Sequence, residues 1–562
     1  MEELKKQTLK DVLERSVKLF EENVAMTKID GDPVTYAEFS ERVRNVSLFL
    51  RGQDISKGDR VAILSENQVN WGIAFFSITS MGAIAVPILP DFHADAVHHI
   101  LRHAECKALF VSKRLYEKIE EVKSEKLKNI ILIDDFHLVL EKAKKDRLGE
   151  VVKEITKLTE SALRKTGKKH TPAKIDEDDI ASIIYTSGTT GHSKGVMLTH
   201  KNIVWNAQAV INMVDLTDKE RFLSILPLSH TMECTIGLVI PIMKGCCVYY
   251  LDKPPTPKLL MTAMTEVKPT VMISVPLIIE KIFKTRILPK LIGNSLSRGL
   301  YKLSPVRRKL HKLAGKKLME SFGGELRYFP IGGAAIAPDV ERFMKEADFP
   351  YVIGYGLTET SPLLAGTPPD NKKLRSTGPP LEGVEIIIDN PNPDTGEGEI
   401  VARGPSVMKG YYKDPERTAE VLSEDGWFRT GDLGVFDEEG HLYIKGRSKN
   451  VIVGPSGENI YPEEIEGVLN QFEYVMESLV YQHEGQLVAR IHPNYEWLDM
   501  ELNGSTKSDT KIEASLNELL EDLRKQANEK VSGFSRISKI IEQTEPFEKT
   551  PTQKIKRYLY VE

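Results

Sequence analysis

The feature that most restricts the fold is a regular alternation of helical and strand patterns between residues 34 and 115. A helical spacing of apolar residues gives way to a short β-prone run, and this pair then repeats along the chain. The patterns are helical at 34–53 and 70–82, strand-like at 59–65 and 83–89, and helical then strand-like across 96–111. Strands that alternate with helices predict a parallel, doubly wound sheet. We therefore expect an α/β fold.

A glycine- and hydroxyl-rich stretch, YTSGTTGHSKGVMLTH, occupies residues 185–200. An apolar, β-prone run at 180–184 precedes it, and a helical pattern begins near Thr199. Glycine lets backbone N–H groups converge on an anion, while the hydroxyls and Lys194 add directed donors. A strand that runs into such a turn indicates a phosphate-binding loop. It is not a Walker motif, because glycine follows Lys194; on composition alone, a surface turn is the alternative.

The order of residues in this loop, Thr-Ser-Gly-Thr-Thr-Gly-x-x-Lys-Gly, is more specific than its composition. It resembles the ATP-phosphate loop of the AMP-forming acyl-CoA synthetases, which belong to the adenylate-forming ligases. These enzymes join a carboxylate to AMP and then transfer the acyl group to a thiol. Ser193 stands where the family usually has proline, so the stiffness of the loop is expected to differ. The resemblance implies ATP contacts from Thr186, Ser187, Gly188, Thr189, Thr190, Gly191 and Lys194.

Two later motifs, IGGAAI at 331–336 and YVIGYGLTET at 351–360, extend the resemblance. The first can bring backbone close to a flat base, and the tyrosine of the second can stack on that base. The chemistry needs a metal, because an anionic carboxylate attacks an anionic phosphate and charge must be neutralised first. The implied residues are Gly333, Ala334 and Tyr355 for the adenine pocket, Gly356 and Thr358 for further ATP contact, and Glu359 for Mg²⁺.

A carboxylate and a basic segment follow. The resemblance implies that Asp432, in Trp-Phe-Arg-Thr-Gly-Asp, accepts hydrogen bonds from the ribose hydroxyls and that Arg447 contacts ribose or phosphate. Lys449 is implied to be the pivot between the two domains. The expected organisation is an N-terminal AMP- and acyl-binding domain at 1–446, a hinge at 447–450 and a C-terminal lid domain at 451–562. Gly457 and Glu458 are expected to line the tunnel for CoA.

The tail, PFEKTPTQKIKRYLY at 546–560, resembles the C-terminal loop whose lysine reaches the substrate carboxylate and the α-phosphate. Lys554 fits that position best, and Lys549 and Lys556 are the local alternatives. Further upstream, Leu-Pro-Leu-Ser-His ends at His230, which the resemblance places at the edge of the acyl pocket, where its ring helps to orient substrate. The apolar run at 235–251 would supply the pocket walls.

Six motifs in family order, between about residues 30 and 558, imply a large N-terminal domain of doubly wound α/β subdomains with a β-rich subdomain, plus a small, mobile α+β C-terminal domain. The implied reaction activates a fatty acid with ATP and Mg²⁺ and passes the acyl group to CoA. Within the family, the sequence most resembles the long-chain fatty acid CoA ligases. An acyl carrier protein ligase, a fatty acyl-AMP ligase and a catalytically silent lipid-binding scaffold are the alternatives. The catalytic residues implied are Lys194, His230, Thr358, Glu359 and Lys554.

Composition limits the partners and the location. The net charge of -5 gives no overall basic excess for nucleic acid. The four cysteines form no Cys-x-x-Cys pair, and the charged N-terminus has no apolar signal core, so we expect a reducing, cytoplasmic location. An uncharged stretch lies between Glu66 and Asp91, but it divides at Gly82 and predicts a buried helix and a strand rather than a membrane span.

One segment departs from the acidic balance of the chain. Residues 281–317 contain twelve lysines and arginines and no Asp or Glu, with Leu, Ile, Phe and Tyr between them. Such a field attracts anionic lipid, and the apolar residues could enter the interface, which indicates contact with the inner face of a membrane. A basic solvated face and a dock for the CoA phosphates are the alternatives.

Overall fold

The structure, a computed structural model, describes residues 4–138, 174–186, 193–251, 253, 255–293, 295–454, 458–495, 497–498, 509–550 and 554–561. The elements follow the α/β alternation expected for the first part of the chain. The α-helices are Leu9–Phe20, Tyr36–Gly52, Val69–Ser80, Ala94–His103, His200–Met213, Ile240–Lys244, Pro257–Val267, Pro276–Ile282, Leu288–Ile292, Ser295–Tyr301, Ser304–Ser321, Pro338–Glu346, Pro415–Val421, Pro462–Leu469 and Asp509–Asn528. The π-helical segments are Glu233–Val239 and Phe283–Ile287, and the 3₁₀ turns are Lys113–Ile119, Thr358–Thr360, Ser448–Asn450, Gly533–Ser535 and Arg557–Leu559.

The first sheet has eight strands, and its centre is parallel. The strand Arg60–Leu64 lies between Ile84–Ile88 and Ala108–Val111 and pairs in parallel with both. The doubly wound sheet predicted from the sequence is therefore confirmed. In spatial order the strands are Gly410–Tyr411, Lys194–Thr199, Ile180–Thr186, Ile84–Ile88, Arg60–Leu64, Ala108–Val111, Asn129–Leu132 and His137–Leu138.

The uncharged stretch after Glu66 folds as predicted. It forms the helix Val69–Ser80 and the strand Ile84–Ile88, with Gly82 between them at a φ of 79°. Trp71, whose ring stacks on a neighbouring phenylalanine, is fully buried in the core. Burial inside the protein explains why this stretch carries no charge. In the described parts of the chain, no helix is long and apolar enough to cross a membrane.

Two strands were not predicted. The first is Lys194–Thr199, which pairs antiparallel with Ile180–Thr186. The helix expected near Thr199 begins at His200, directly after this strand, and is capped by the Thr199 side chain. The second is Asn129–Leu132, a strand of the first sheet in which Ile131 is fully buried.

A second sheet carries the adenine motifs. Its first part has the strands Val34–Thr35, Val24–Lys28, Cys247–Tyr250 and Arg221–Ser224. Single parallel bridges through Val271 and Ser274 continue it to a second part. That second part has the strands Phe329–Ile331, Tyr351–Tyr355 and Ala365–Gly366. Both expected α/β subdomains are thus present, and the carboxyl end of Tyr351–Tyr355 leads into the Thr358–Thr360 turn.

The remaining sheets are smaller. The expected β-rich subdomain is an antiparallel sheet of the strands Glu385–Asp389, Gly398–Arg403, Phe428–Phe436 and Leu442–Arg447. The C-terminal part is α+β and contains the hairpin Ile452–Val453 with Asn459–Ile460, and a sheet of Val475–His483, Gln486–Pro493 and Lys539–Glu542. It contacts the β-rich sheet through Tyr461, whose hydroxyl donates to Glu397 Oε2 at 2.9 Å. The domain limits at 446 and 451, and the mobility, stay predictions.

Candidate active site

Three side chains from distant parts of the chain meet at the base of the phosphate loop. Lys194 Nζ lies 2.8 Å from Glu359 Oε1 and 2.5 Å from the Tyr411 hydroxyl. The Tyr411 hydroxyl also donates to Glu359 Oε1 at 2.9 Å, and Lys194 stands 4.2 Å from the centre of the tyrosine ring. The lysine and the glutamate that the sequence singled out for phosphate and metal are therefore direct neighbours.

Backbone pairing brings this group together. Lys194 opens its strand opposite Thr186, so the two residues close the ends of the phosphate loop. Tyr411 lies in the next strand, opposite Val196, which sets its ring beside Lys194. The turn that holds Glu359 is fixed to the same edge, because Met408 N donates to Glu359 O at 2.8 Å. No described residue forms a hydrogen bond with the buried Thr186 hydroxyl oxygen, which makes it a candidate ligand contact.

The electrostatics of Glu359 favour its ionised form. Burial alone would raise the pKa of this carboxyl, but the Lys194 ammonium and the hydrogen bonds outweigh burial and lower it. Among the described residues, no cluster of three or more His, Cys, Asp or Glu side chains could hold a metal by itself. Magnesium is commonly held by one or two carboxylates together with substrate phosphates. A single ionised carboxylate beside a phosphate loop fits that arrangement.

A second group lies where the β-rich sheet meets the strand Tyr351–Tyr355. The Tyr355 hydroxyl donates to Asp432 Oδ2 at 2.9 Å, and Arg447 Nε lies 3.0 Å from Asp432 Oδ1. Asp432 and Arg447 face each other because their strands pair in register at this point. Burial raises the pKa of Asp432, against the opposing effects of Arg447 and Tyr355. The carboxylate thus offers two oxygens in a largely dry site: Oδ2 accepts from the Tyr355 hydroxyl, and Oδ1 forms an ion pair with Arg447.

Two glycines near these groups have backbone that excludes a side chain. Gly333 lies in an exposed turn with a φ of 87°, a conformation that side chains rarely adopt. A Cβ at Gly356 would lie 1.9 Å from Pro362 O, so only glycine fits after Tyr355. Ala334 is exposed beside Gly333, and Thr358 begins the 3₁₀ turn that presents Glu359. Gly333 and Ala334 therefore leave backbone exposed in their turn, whereas Gly356 lets the chain pack closely against Pro362.

The tail brings one lysine to this site and holds its two neighbours elsewhere. Lys549 pairs with Glu477, and Lys556 Nζ lies 3.2 Å from Glu548 Oε2. Lys554 keeps solvent-accessible surface, yet the protein surrounds it closely enough to lower the pKa of its ammonium. Arg447 adds to this lowering, whereas Asp432 and Glu359 oppose it. The charges of Asp432 and Glu359 thus both act on the pKa of Lys554.

His230 belongs to the same neighbourhood. Burial lowers the pKa of its imidazole to about 4, and the charge of Lys554 contributes to that lowering. The segment before it is held by Asn67, whose amide nitrogen donates to Leu226 O at 2.6 Å and whose Oδ1 accepts from Leu228 N at 2.8 Å. His230 is therefore a neutral ring on a firmly placed turn.

A buried carboxyl lies beside that turn. Burial raises the pKa of Glu233 to about 8, so the group is largely protonated at neutral pH. Its Oε1 accepts from Ser224 Oγ at 2.6 Å, and Ser224 Oγ in turn accepts from Asn67 Nδ2 at 2.9 Å. This chain of hydrogen bonds links the buried acid to the residue that places the His230 turn.

Some predicted residues lie elsewhere. Lys449 is exposed in the turn Ser448–Asn450, next to Asn450, whose amide donates to Glu463 Oε1 at 2.5 Å. Glu458 closes a hairpin, where its carbonyl accepts from Gly454 N at 2.8 Å. Neither belongs to the groups around Glu359 and Asp432. The predicted residues outside the described part of the chain are Ser187, Gly188, Thr189, Thr190, Gly191 and Gly457.

The comparison with known protein families gives the family to which this sequence belongs. The family profile described as AMP-binding enzyme matches residues 13–412, which is more than half of the chain. The chain belongs to the AMP-binding enzyme family. The resemblance expected from the motifs is therefore confirmed at the level of the family.

This AMP-binding enzyme has full-length relatives and a shared fold. "Long-chain-fatty-acid--CoA ligase FadD15" of Mycobacterium bovis is 29% identical over 576 residues, covering 95% of this chain and 92% of that protein. "Long-chain-fatty-acid--CoA ligase 5" of Rattus norvegicus is 29% identical over 570 residues, covering 93% and 82%. The solved structure of O-succinylbenzoate coenzyme A synthetase (MenE) from Bacillus subtilis, in complex with ATP and magnesium ion, gives a TM-score of 0.72 at 22% identity, over 97% of this chain and 98% of that one. The similarity to this solved structure shows that the two proteins share a fold.

Two contributors to the site of this AMP-binding enzyme were not predicted. Tyr411, in the sequence Lys-Gly-Tyr-Tyr, bonds to both Lys194 and Glu359, but nothing in its spacing from either distinguishes it from a core tyrosine. Asn67 positions the His230 turn from the segment that follows the strand Arg60–Leu64. A polar side chain just after the carboxyl end of a strand is the only sequence signal, because ligand sites in α/β sheets gather at that edge.

Proposed function

We propose that this protein is an ATP-dependent fatty acid–CoA ligase that forms acyl-AMP and pyrophosphate and then transfers the acyl group to CoA. The observations that carry the proposal are the contact between Lys194 and Glu359 and the electrostatic effect of Glu359 and Asp432 on Lys554, in a chain of the AMP-binding enzyme family. The printed names of the two relatives favour long-chain acids, and the chain covers most of the length of both.

In the first step a carboxylate oxygen attacks the α-phosphorus of ATP, and the bond to the β-phosphate oxygen breaks to release pyrophosphate. Lys194 and the loop N–H groups would hold the β- and γ-phosphates, with Thr358 as a further donor. Lys554 would lie between the acid and the α-phosphate and offset the charge that develops there. Its electrostatic coupling to Asp432 and Glu359 supports this placement.

In the second step the CoA thiolate attacks the acyl carbon and AMP leaves. Both steps need the same place beside the α-phosphate, so Lys554 must withdraw before the thiol can enter. We propose that the C-terminal domain rotates about Lys449 and brings Gly457 and Glu458 to the site as the tunnel for CoA. The exposure of Lys449 in a short turn between two sheets supports a pivot there.

Magnesium, bound by Glu359 and the nucleotide phosphates, would neutralise phosphate charge as a Lewis acid. The ionised state of the Glu359 carboxyl supports this assignment. His230, neutral at physiological pH, would act as a hydrogen-bonding edge of the acyl pocket rather than as a cation. Because long-chain acids partition into lipid, we also propose a cytoplasmic enzyme that takes substrate at the inner face of a membrane, through residues 281–317.

The function is tested by measuring pyrophosphate release with acids from acetate to oleate, with CoA or acyl carrier protein as acceptor. We expect release with long-chain acids and thioester formation with CoA. Release without thioester on CoA would identify an acyl-AMP ligase, and transfer only to the carrier protein would identify an acyl carrier protein ligase. If no acid supports exchange of labelled pyrophosphate into ATP, the ligase proposal fails and a silent scaffold takes its place.

Replacing Asp432 with alanine is expected to raise the KM for ATP by about tenfold or more, because a buried acceptor for the ribose hydroxyls is lost. The sharper measurement uses 2′-deoxy-ATP and 3′-deoxy-ATP. The wild type should discriminate against both analogues, and the variant should lose that discrimination. Tyr355→Phe, which keeps the Asp432 carboxylate and removes one of its donors, is the matched control and should still discriminate. An unchanged KM in Asp432→Ala would reject the ribose contact.

A further inference from the structure

Four exposed leucines lie close along the chain in two packed helices and the turn between them. The helices are Ser295–Tyr301 and Ser304–Ser321. Leucines exposed to this degree are unfavourable in water unless something covers them, and a group of them marks an interaction surface. The leucines and their exposed fractions are Leu296 at 74%, Leu300 at 43%, Leu303 at 55% and Leu313 at 64%.

Cations accompany these leucines. The outer side of the helix Ser304–Ser321 presents five of them at helical spacing, beside Leu313. Two of the five have acidic neighbours: Lys312 Nζ lies 2.9 Å from Asp348 Oδ2, and Arg308 Nε lies 4.0 Å from Glu346 Oε1. We call the four leucines together with these cations the leucine–lysine face. The cations are Arg308, Lys309, Lys312, Lys316 and Lys317.

The basic segment 281–317 is not one uniform surface. Lys284 turns to the C-terminal domain, where its ammonium donates to Val475 O at 3.2 Å, and burial lowers its pKa. Arg307 turns inward too, and its Nη2 lies 2.9 Å from Glu346 Oε1. The segment therefore mixes side chains that contact the rest of the protein with exposed ones, and its exposed leucines begin in the helix Ser295–Tyr301.

The leucine–lysine face is held in place by polar contacts beneath it. The Tyr301 hydroxyl, from the first helix, lies 2.7 Å from His311 Nε2 in the second. His311 packs edge-on against Phe343, with ring centres 5.1 Å apart, in the helix Pro338–Glu346. That helix directly follows the Gly333 turn of the nucleotide site. A face fixed in this way loses little conformational entropy when it binds.

We propose that the leucine–lysine face docks on an anionic lipid surface, with the leucines in the interface and the cations at the headgroups. Charge complementarity indicates the class of lipid, because the five exposed cations attract anionic headgroups. The exposed leucines are stabilised when they leave water and enter the boundary between headgroups and acyl chains. Nucleic acid would satisfy the cations but leave the leucines in water. The inference deepens the proposed membrane contact by naming the surface and the class of lipid.

The test is sedimentation of the full-length protein with vesicles, without ATP, acid or CoA. One set of vesicles is phosphatidylcholine, and the other contains about 30% phosphatidylserine. The wild type should bind the anionic vesicles and release at high salt, whereas the neutral vesicles should bind it at least about tenfold more weakly. Lys309→Gln/Lys316→Gln should weaken anionic binding by about 25-fold, at about fivefold per cation. Leu296→Ser/Leu303→Ser should weaken it by about tenfold or more.

The matched controls are Ile387→Ser, at an apolar residue 45% exposed on the β-rich sheet, and Lys123→Gln, at an exposed lysine outside the face. Both should bind as the wild type does. Equal binding to the two kinds of vesicle, or wild-type binding by the leucine variant, overturns the proposal. The proposal is also overturned if the protein does not bind vesicles but forms a dimer that depends on the leucines, or binds RNA. Vesicle binding is measured without turnover. A failure to bind vesicles therefore does not affect the ligase proposal, and a failure of the ligase assay does not affect the proposal of lipid binding.

Discussion

Replacing Lys554 with alanine is expected to slow acyl-AMP formation by about 10²- to 10³-fold and to leave thioester synthesis from supplied acyl-AMP nearly unchanged. The reason is that a preorganised cation offsets charge only in the step in which two anions meet. We propose Lys554 for that step, because the charges of Asp432 and Glu359 act on the pKa of its ammonium. Exchange of labelled pyrophosphate into ATP measures the first step, and synthetic acyl-AMP with CoA measures the second.

Lys556→Ala is the matched control for this prediction, because Lys556 is two residues away and is paired with Glu548. It should keep both half-reactions. The pH profile gives a second readout. Because the pKa of Lys554 is lowered, acyl-AMP formation should be lost with rising pH at a lower pH than the pKa of an ordinary lysine. Arginine does not titrate in this pH range, so Lys554→Arg should keep its residual activity to higher pH. Equal loss of both half-reactions in Lys554→Ala would refute the role.

The fold was predictable where local pattern and tertiary position agree. The helix Val69–Ser80 and the strand Ile84–Ile88 match their expected ranges within about two residues, because an apolar run broken by Gly82 has few other ways to be buried. The strands Lys194–Thr199 and Asn129–Leu132 were missed for physical reasons. The first follows a glycine-rich loop and gains its stability from pairing with Ile180–Thr186, and the second is short and flanked by charged residues.

The site was predictable at the level of its motifs and not at the level of its contacts. The order of motifs was enough to single out Lys194, Glu359 and Asp432. It could not reveal Tyr411, since the antiparallel pairing that places it joins residues more than two hundred positions apart. The resemblance also favoured Lys554 over Lys549 and Lys556. The ion pairs that Lys549 and Lys556 form with Glu477 and Glu548 are a property of the folded chain, which the sequence could not reveal.

The second large effect is expected from Glu359→Gln, which should lower the rate of pyrophosphate exchange by about 10³-fold or more. The amide keeps the size of the side chain and can still accept from Lys194 and Tyr411, so the fold should survive. What is lost is the negative charge that would hold magnesium against the phosphates. The measurement is the exchange rate as a function of magnesium concentration: the variant should need far more metal and still not reach the wild-type rate.

Unfolding experiments on Lys194 separate this chemical role from a structural one. Lys194→Ala should lower the free energy of unfolding by about 2 kcal/mol, because it leaves the nearly buried Glu359 carboxylate without its cation; the loss is moderated because Lys194 is partly exposed. Adding Glu359→Gln removes that stranded charge and should restore part of the stability while activity stays lost. If the two losses of stability simply add in the double variant, the ion pair has no coupling, and the view that Lys194 keeps Glu359 ionised is wrong.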